Sequence, residues 1–384
     1  MIMDFRYKLS TNLFFGTGKE KIIGKEAAKL GDKVMIVTGG SSTRKSGLLE
    51  RTKAMLEECG VKYVLFDKVQ QNPLCSTVDE GAAVMRQEGC SGAVALVGGS
   101  SIDSAKAICA AAVYDVPVEQ LVYRGKAITQ ALPLIAVPTT CGTGSEVNGV
   151  AVLTNEKNKD KKSIKGDAIV PAAAIVDPAL MMTMPRSVFA SVSFDALCHL
   201  MEAYLSIQAN PITDMIAIEG MRLVKDNILK VYNDYENREA WENITLASTL
   251  GGYTLNAIGV IAGHGMEHPE SGLKNVMHGR GLAAVMPVLL RELSDAAPGK
   301  LGDISRIFGG NDAEDCWRAI LDLLKALELD LTLEDLGFCE SDIMWLTDNA
   351  FKVSAGTIAM SPKKLDRDDI YRLYSEALTF NKAY

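Results

Sequence analysis

No CxxC pair occurs among the eight cysteines, which lie far apart from Cys59 to Cys339 in a chain too long to need a disulfide framework. Reduced, mostly buried thiols are expected. Basic charge is not in excess: 40 Lys and Arg stand against 48 Asp and Glu, a formal net charge of −8. A groove for nucleic acid or for an anionic membrane surface needs clustered cations, so neither partner is expected. No uninterrupted apolar run reaches about 18 residues, and "MIMDFRYKLSTNLFF" carries Asp4 where a signal peptide would build its apolar core. The chain reads as cytoplasmic. None of its glycine-rich loops matches GxGxxG or the GKS/GKT of a P-loop, which removes an ordinary Rossmann fingerprint and a kinase-like loop. Histidine is scarce as well: there are four, and three of them fall in "GHGMEHPESGLKNVMHG", residues 263–279.

What is present is an ordinary globular balance, 48% hydrophobic and 23% charged over 384 residues, long enough that two domains are expected. Up to about residue 184, short apolar runs alternate with helical stretches: "VMIV" (34–37), "VKYVLF" (61–66), "GAVALV" (92–97), "LIAV" (134–137) and "AAAIVD" (172–177). That alternation predicts a parallel sheet flanked by helices, an α/β domain over residues 1–184. After "MPRS" (184–187) the apolar spacing becomes helical in "SFDALCHLMEAYL", "DMIAIEGMRLVKDNILKVY", "AEDCWRAILDLLKALEL" and "SDIMWLTDNAF", with Ser341 as an expected N-cap. Residues 185–384 are expected to form an all-helical domain, joined tightly because no linker composition marks the border.

Two loops of the first half point to a nucleotide. In "GAVALVGGSSIDSAKAICAAA" a strand runs into Gly98, Gly99 and Ser100 and then a helix, with Asp103 three residues after Ser100, close to a capping box. Glycines there leave backbone amides open at a helix N-terminus, where an anion such as a diphosphate is favoured. In "VPTTCGTGSEVN" (137–148), Thr139, Thr140, Thr143 and Ser145 offer hydroxyls to phosphate or ribose oxygens. A Gly-Gly-Ser turn is often purely structural, so the two loops together carry more than either does alone.

His264 and His268 are four apart at the end of the apolar run "LASTLGGYTLNAIGVIAGHGMEH", so a helix there puts both on one face until Pro269 stops it. His278 follows within a short loop. His199 stands four residues after Asp195, again a carboxylate and an imidazole on one helical face. A lone histidine on an apolar face is usually a satisfied core residue. Four of them with an aspartate on two apolar helix ends instead make a site for a divalent first-row metal, Fe²⁺ or Zn²⁺ rather than Mg²⁺ or Ca²⁺. No cysteine joins the cluster, which argues against a structural zinc site.

With these motifs in this order, the chain resembles the iron-containing (group III) alcohol dehydrogenase family along nearly its whole length. "GGSSIDSAK" (98–106) resembles that family's phosphate loop, "PTTCGTGSEV" (138–147), ending at Val147, its second nucleotide loop, "DALCH" (195–199) its first ligand pair, and 263–279 its histidine segment. The resemblance implies that Asp195, His199, His264 and His278 hold the metal and that His268 is a non-ligating histidine beside the substrate. It also implies a dinucleotide-binding α/β domain followed by a helical metal-binding domain, with the site in the cleft between them, and a homodimer. The implied reaction is reversible hydride transfer between a small primary alcohol or its aldehyde and a nicotinamide, with the metal as Lewis acid. His268 would relay a proton to the alkoxide, or only shape the pocket.

The departures are informative. Val97 stands where the family commonly has a third glycine. After the first strand, in "IVTGGSSTRKSG" (36–47), NAD-preferring members often place an acidic residue against the ribose; here stands Gly39, then Gly40, Ser41, Ser42 and Thr43, with Arg44 and Lys45 behind. Glycine, hydroxyls and cations admit a 2′-phosphate that a carboxylate would repel, so NADP(H) is favoured over NAD(H). Two other classes stay open. A dehydroquinate synthase-like lyase also pairs NAD with a divalent metal, but needs more basic residues than Lys274 and Arg280 beside the ligands. A non-catalytic nucleotide-binding protein would be expected to have lost metal ligands. "DFRYKLSTNLFFGTG" is an expected edge strand, offered for pairing between subunits.

Overall fold

The structure is a computed structural model that describes residues 4–384; the first three residues of the expected N-terminal domain lie outside it. Leu9–Met184 forms one compact unit. Its strands are β1 (Asn12–Phe15), β2 (Lys33–Gly39), β3 (Lys62–Val69), β4 (Gly92–Val97), β5 (Leu134–Pro138), β6 (Val150–Asn155), β7 (Asp160–Lys165) and β8 (Ala173–Val176). Six of them make one parallel sheet in the order β1-β8-β5-β4-β2-β3. The five strands read from the sequence are all in it. β1 is indeed an edge strand, but its partner is β8 of the same chain, with Asn12 opposite Ala173 and Phe15 opposite Val176.

The pleat explains why the inner strands are apolar on both faces. Met35, Val37, Ala93, Ala95 and Ala136 pack on one side with Val78, Ala82 and Met85 of helix α2 (Cys75–Gln87) and with Ile102 and Ala105 of α3 (Gly99–Tyr114). Val34, Ile36, Val94, Leu96 and Val137 pack on the other with Ile23, Ala27 and with Leu48 and Leu49 of α1 (Leu48–Glu58). Each such fully buried aliphatic side chain contributes roughly 1.5–3 kcal/mol, so helices on both faces are what a parallel sheet of this composition requires. β6 and β7 form a separate antiparallel hairpin that the sequence reading did not foresee. Its second strand, "DKKSIK", buries Asp160, Lys161 and Ile164, polar residues among them, so the segment reads as a loop.

The second unit contains Pro185–Tyr384 together with the described residues up to Lys8. Its principal helices are α4 (Arg186–Leu205), α5 (Pro211–Asn233), α6 (Arg238–Ile258), α7 (Ala262–Lys274), α8 (His278–Glu292), α9 (Cys316–Ala326) and α10 (Glu340–Ile358), and no strand occurs among its described residues. This is the α/β, then all-α architecture expected. By length and composition α4 could span a membrane, but 89% of its most apolar window is buried inside this unit, which makes it the core helix. Phe189 of α4 meets Trp241 of α6 edge to face at 4.9 Å and helps clamp the two helices. The N-cap of α10 is Cys339, not Ser341: the Cys339 amide donates to Asp342 Oδ2 at 3.0 Å, closing a capping box two residues earlier than expected. All eight cysteines are free, six of them buried and Cys59 and Cys339 exposed.

Candidate metal centre and nucleotide loops

The apolar run ahead of the histidines is not one helix. Gly259, at φ +77°, ends α6, and α7 leaves at 101° to it, so His264 lies in the first turn of a new helix. Pro269 does not stop α7, which continues to Lys274. The turn around it is tied down from outside by the Tyr374 hydroxyl, which donates to the Met266 carbonyl at 2.5 Å, while within the segment the Ser271 hydroxyl lies within reach of Glu267 and of the Val276 carbonyl. Tertiary contacts thus outweigh the one donor that proline removes. His278 is not in a loop but opens α8.

Three helices meet closely enough to bring the expected ligands together because two glycines lack a side chain. A Cβ on Gly263 of α7 would lie 2.5 Å from Glu202 Oε1 and from Met286 Sδ. One on Gly279 of α8 would lie 1.9 Å from the Ser191 carbonyl oxygen of α4. At that junction Asp195 Oδ1 is 3.4 Å from His264 Nε2, 3.7 Å from His199 Nε2 and 3.7 Å from His278 Nε2. Asp195, His199 and His264 are buried and form the tight part of the cluster, each offering an atom within 4.8 Å of the others. His278 is the half-buried member, its ring 5.1 Å from that of His264.

The donor set fits a divalent metal. Ligand atoms of a tetrahedral site with bonds of about 2.1 Å lie about 3.4 Å apart, close to the distances found here. Asp195 Oδ1 and His264 Nε2 are buried yet make no hydrogen bond, an expensive arrangement unless a cation joins them. Burial opposes charge at both residues, but their neighbours prevail. Facing His199, His278 and His264, the Asp195 carboxyl is held well below the usual carboxylate range. Between Glu202 and Asp195, the His264 imidazole rises to about 10. His268, one turn beyond His264, stays outside the cluster: its ring is 6.1 Å from that of His278 and its Nδ1 is 3.5 Å from Ser354 Oγ.

Two carboxylates behind the histidines were missed in the sequence reading. Glu202 is wholly buried; His264 Nδ1 donates to its Oε1 at 2.6 Å and the Ile261 amide donates to its Oε2 at 2.6 Å. Glu267, also wholly buried, accepts from His278 Nδ1. The available signal was a glutamate inside an apolar helical stretch, "HLMEAYL" and "HGMEH", where burial demands a partner.

In the first unit, α3 starts at Gly99 with Gly98 as N-cap and no side chain capping it, so Asp103 does not close a capping box. Its first-turn amides have no side-chain acceptor there, as an anion site requires. Thr143 of the second loop lies against Gly99, where a Cβ would come 2.5 Å from its Cγ2, so the two loops are neighbours. Thr140 and Thr143 are partly exposed and Thr139 is buried. Asp103, Ser145 and Val147 face inward: Ser145 Oγ donates to Asp103 Oδ1 at 2.5 Å, the Val152 amide donates to Asp103 Oδ2, and Val147 is buried. The organiser is Lys106, also missed, which is wholly buried and donates to Ser145 Oγ, Asn148 Oδ1 and the Val150 carbonyl. Burial lowers its ammonium to about 8, with Asp103 opposing. Val97, leading into the first loop, sits at φ +104°, a conformation that costs a β-branched residue energy.

After β2, a Cβ on Gly39 would lie 1.9 Å from the Val69 carbonyl oxygen, so no acidic side chain fits at that position. Gly40 and Ser41 are exposed, and the exposed Arg44 pairs with Asp67.

The sequence model of the iron-containing alcohol dehydrogenase family matches residues 10–178, and that of the C-terminal part of the same family matches residues 189–378. The 1,3-propanediol dehydrogenase of Klebsiella pneumoniae is 33% identical, over 97% of this chain and 98% of its own. Among solved structures, an archaeal halo-thermophilic alcohol dehydrogenase from a Red Sea brine pool superposes with a TM-score of 0.95 at 32% identity, covering 98% of this chain and 100% of the other. The NADH-dependent butanol dehydrogenase A of Thermotoga maritima superposes with a TM-score of 0.91 at 28% identity, over 97% and 98%.

Proposed function

The chain belongs to the iron-containing alcohol dehydrogenase family, an alcohol oxidoreductase that uses iron and a nicotinamide cofactor, and from that premise we propose a reversible reductase of small aldehydes that prefers NADP(H). In this reading residues 1–184 bind the dinucleotide and 185–384 the metal. Asp195, His199, His264 and His278 are the ligands, and the convergence of three imidazole Nε2 atoms on Asp195 Oδ1 is the observation that carries it. When bound, iron or zinc supplies Lewis acidity toward an alcohol or carbonyl oxygen and the nicotinamide supplies or accepts the hydride. The chain's residues do the rest. Gly98, Gly99 and Ser100 with Thr139, Thr140 and Thr143 receive the diphosphate and nicotinamide ribose, while Asp103, Ser145 and Val147 hold the second loop in place through Lys106. A cytoplasmic homodimer is proposed with it, and small uncharged aldehydes suit the apolar "GGYTLNAIGVIAG" that precedes His264.

The ligand assignment has a pH signature. In the metal-free protein His264 keeps its proton up to about pH 10, above the ordinary imidazole value of about 6.5. Its contribution to apo stability is therefore complete below about pH 6.5 and is lost as the pH rises through 10. A metal must displace that proton, so Co²⁺ affinity should rise about tenfold per pH unit across this window. The melting-temperature gap between Co²⁺-loaded and metal-free protein should widen from pH 6.5 to 8.5, and a constant gap would contradict the assignment.

For the cofactor, Gly39, Gly40 and Ser41 leave room at the adenosine ribose, and Arg44 stands ready to exchange Asp67 for a 2′-phosphate. Arg44→Ala should lower kcat/KM for NADPH about tenfold and leave NADH within about twofold, since a hydrogen bond to a charged group contributes about 1.5–3 kcal/mol. Equal losses for both cofactors would remove Arg44 from the reading.

His268 is proposed to carry a proton between substrate and solvent. His268→Gln should lower turnover by about 10²-fold, abolish the pH-rate limb of an imidazole and leave metal content unchanged. An unaltered pH profile would leave it only a role in shaping the pocket.

A further inference from the structure

Of the wholly buried carboxylates in the helical unit, Glu202 and Glu267 stand out by their geometry. Each accepts from the Nδ1 of a different histidine, His264 and His278, whose Nε2 in turn points at Asp195 Oδ1. A carboxylate can only accept, so each ring keeps a proton at Nδ1, and Nε2 is the nitrogen left to give up its proton and offer a lone pair. The second oxygen of each is also held: Glu202 Oε2 accepts from the amides of Ile261 at 2.6 Å and His264 at 3.4 Å, and Glu267 Oε1 accepts from Ser271. Neither carboxylate can turn away without leaving donors unpaired at 0% exposure.

We infer that Glu202 and Glu267 are positioning residues that fix the tautomer and ring orientation of His264 and His278, and so set how tightly the centre holds a divalent cation. The inference rests on the ligand reading above and adds to it. Glu202 has a second task, since it accepts from the backbone amides at the start of α7 after the bend at Gly259, whereas Glu267 lies mid-helix. The two therefore differ in what their loss does to folding while sharing their effect on the metal. Gln retains an acceptor for Nδ1–H but not the charge; Ala removes both. The metal affinity should fall in the order Glu, Gln, Ala at both positions, by about 10–100-fold in total, a pattern that a purely structural residue does not produce.

The test loads Co²⁺ anaerobically into the metal-free full chain and into Glu202→Gln, Glu267→Gln and Glu267→Ala, and reads the dissociation constant by chelator competition and the visible ligand-field spectrum. The expected result is weaker binding in the stated order with a shifted Co²⁺ band in each variant. A folded Glu267→Ala that binds Co²⁺ within twofold of the parent, with the parent spectrum, overturns the inference. If Glu202→Gln fails to fold, the Glu267 pair decides alone. A parent chain that takes up no Co²⁺ overturns the ligand reading itself, which is a different outcome from a parent that binds and variants that match it.

Discussion

His264→Ala should lose its metal and its turnover together. The side chain supplies an Nε2 with no hydrogen bond of its own, 3.4 Å from Asp195, and alanine leaves a buried gap that water fills poorly. Lewis-acid stabilisation of an oxyanion is worth several kcal/mol, so kcat/KM should fall by a factor on the order of 10³ even when metal is added back. Asp195→Asn should weaken metal binding by a similar route, because a neutral amide cannot offset the cation's charge. Metal content by atomic absorption, measured beside turnover, checks both. Full activity in either variant would remove the centre from this place in the fold.

Gly279→Ala is the second large effect, and it arises without touching a ligand atom. The new Cβ would sit 1.9 Å from the Ser191 carbonyl oxygen, and backbone cannot swing aside as a side chain can. α8 must move off α4, carrying His278 with it. Overpacking of this kind costs typically 1–3 kcal/mol, and we expect a lower melting temperature together with at least a tenfold weaker hold on the metal. Gly299→Ala, in a helix where nothing lies within 4 Å of the new Cβ, is the control and should melt at or above the parent temperature. Equal behaviour of the two variants would mean that the close approach of α8 to α4 does not position the ligand.

The sequence showed the parts of this centre that follow a helical period. Asp195 and His199 are one turn apart on α4, and their partnership is legible from spacing alone. It did not show what tertiary contacts decide. Pro269 looks like a stop, but α7 runs past it with the distant Tyr374 hydroxyl bonded to the Met266 carbonyl. The bend at Gly259 is hidden within an apolar run, because glycine in such a run does not announce which way the chain turns. Glu202 and Glu267 are acidic residues in apolar stretches, and only the folded chain shows that each faces a different histidine. In the sheet unit the four inner strands and the edge strand β3 were legible as apolar runs, since a parallel sheet covered on both faces leaves little polar alternation. The β6–β7 hairpin was hidden by its lysines, and Lys106 by a helix start that looked devoted to phosphate.

The measurement that tests the central claim most directly is oxidation of NADPH and of NADH with a small aldehyde such as butanal. It should be run on anaerobically purified protein, before and after chelation and with Fe²⁺ or Zn²⁺ restored. The account predicts oxidation that chelation abolishes and metal restores, faster with NADPH than with NADH. Protein that binds both metal and nucleotide yet turns over no aldehyde or alcohol would contradict it.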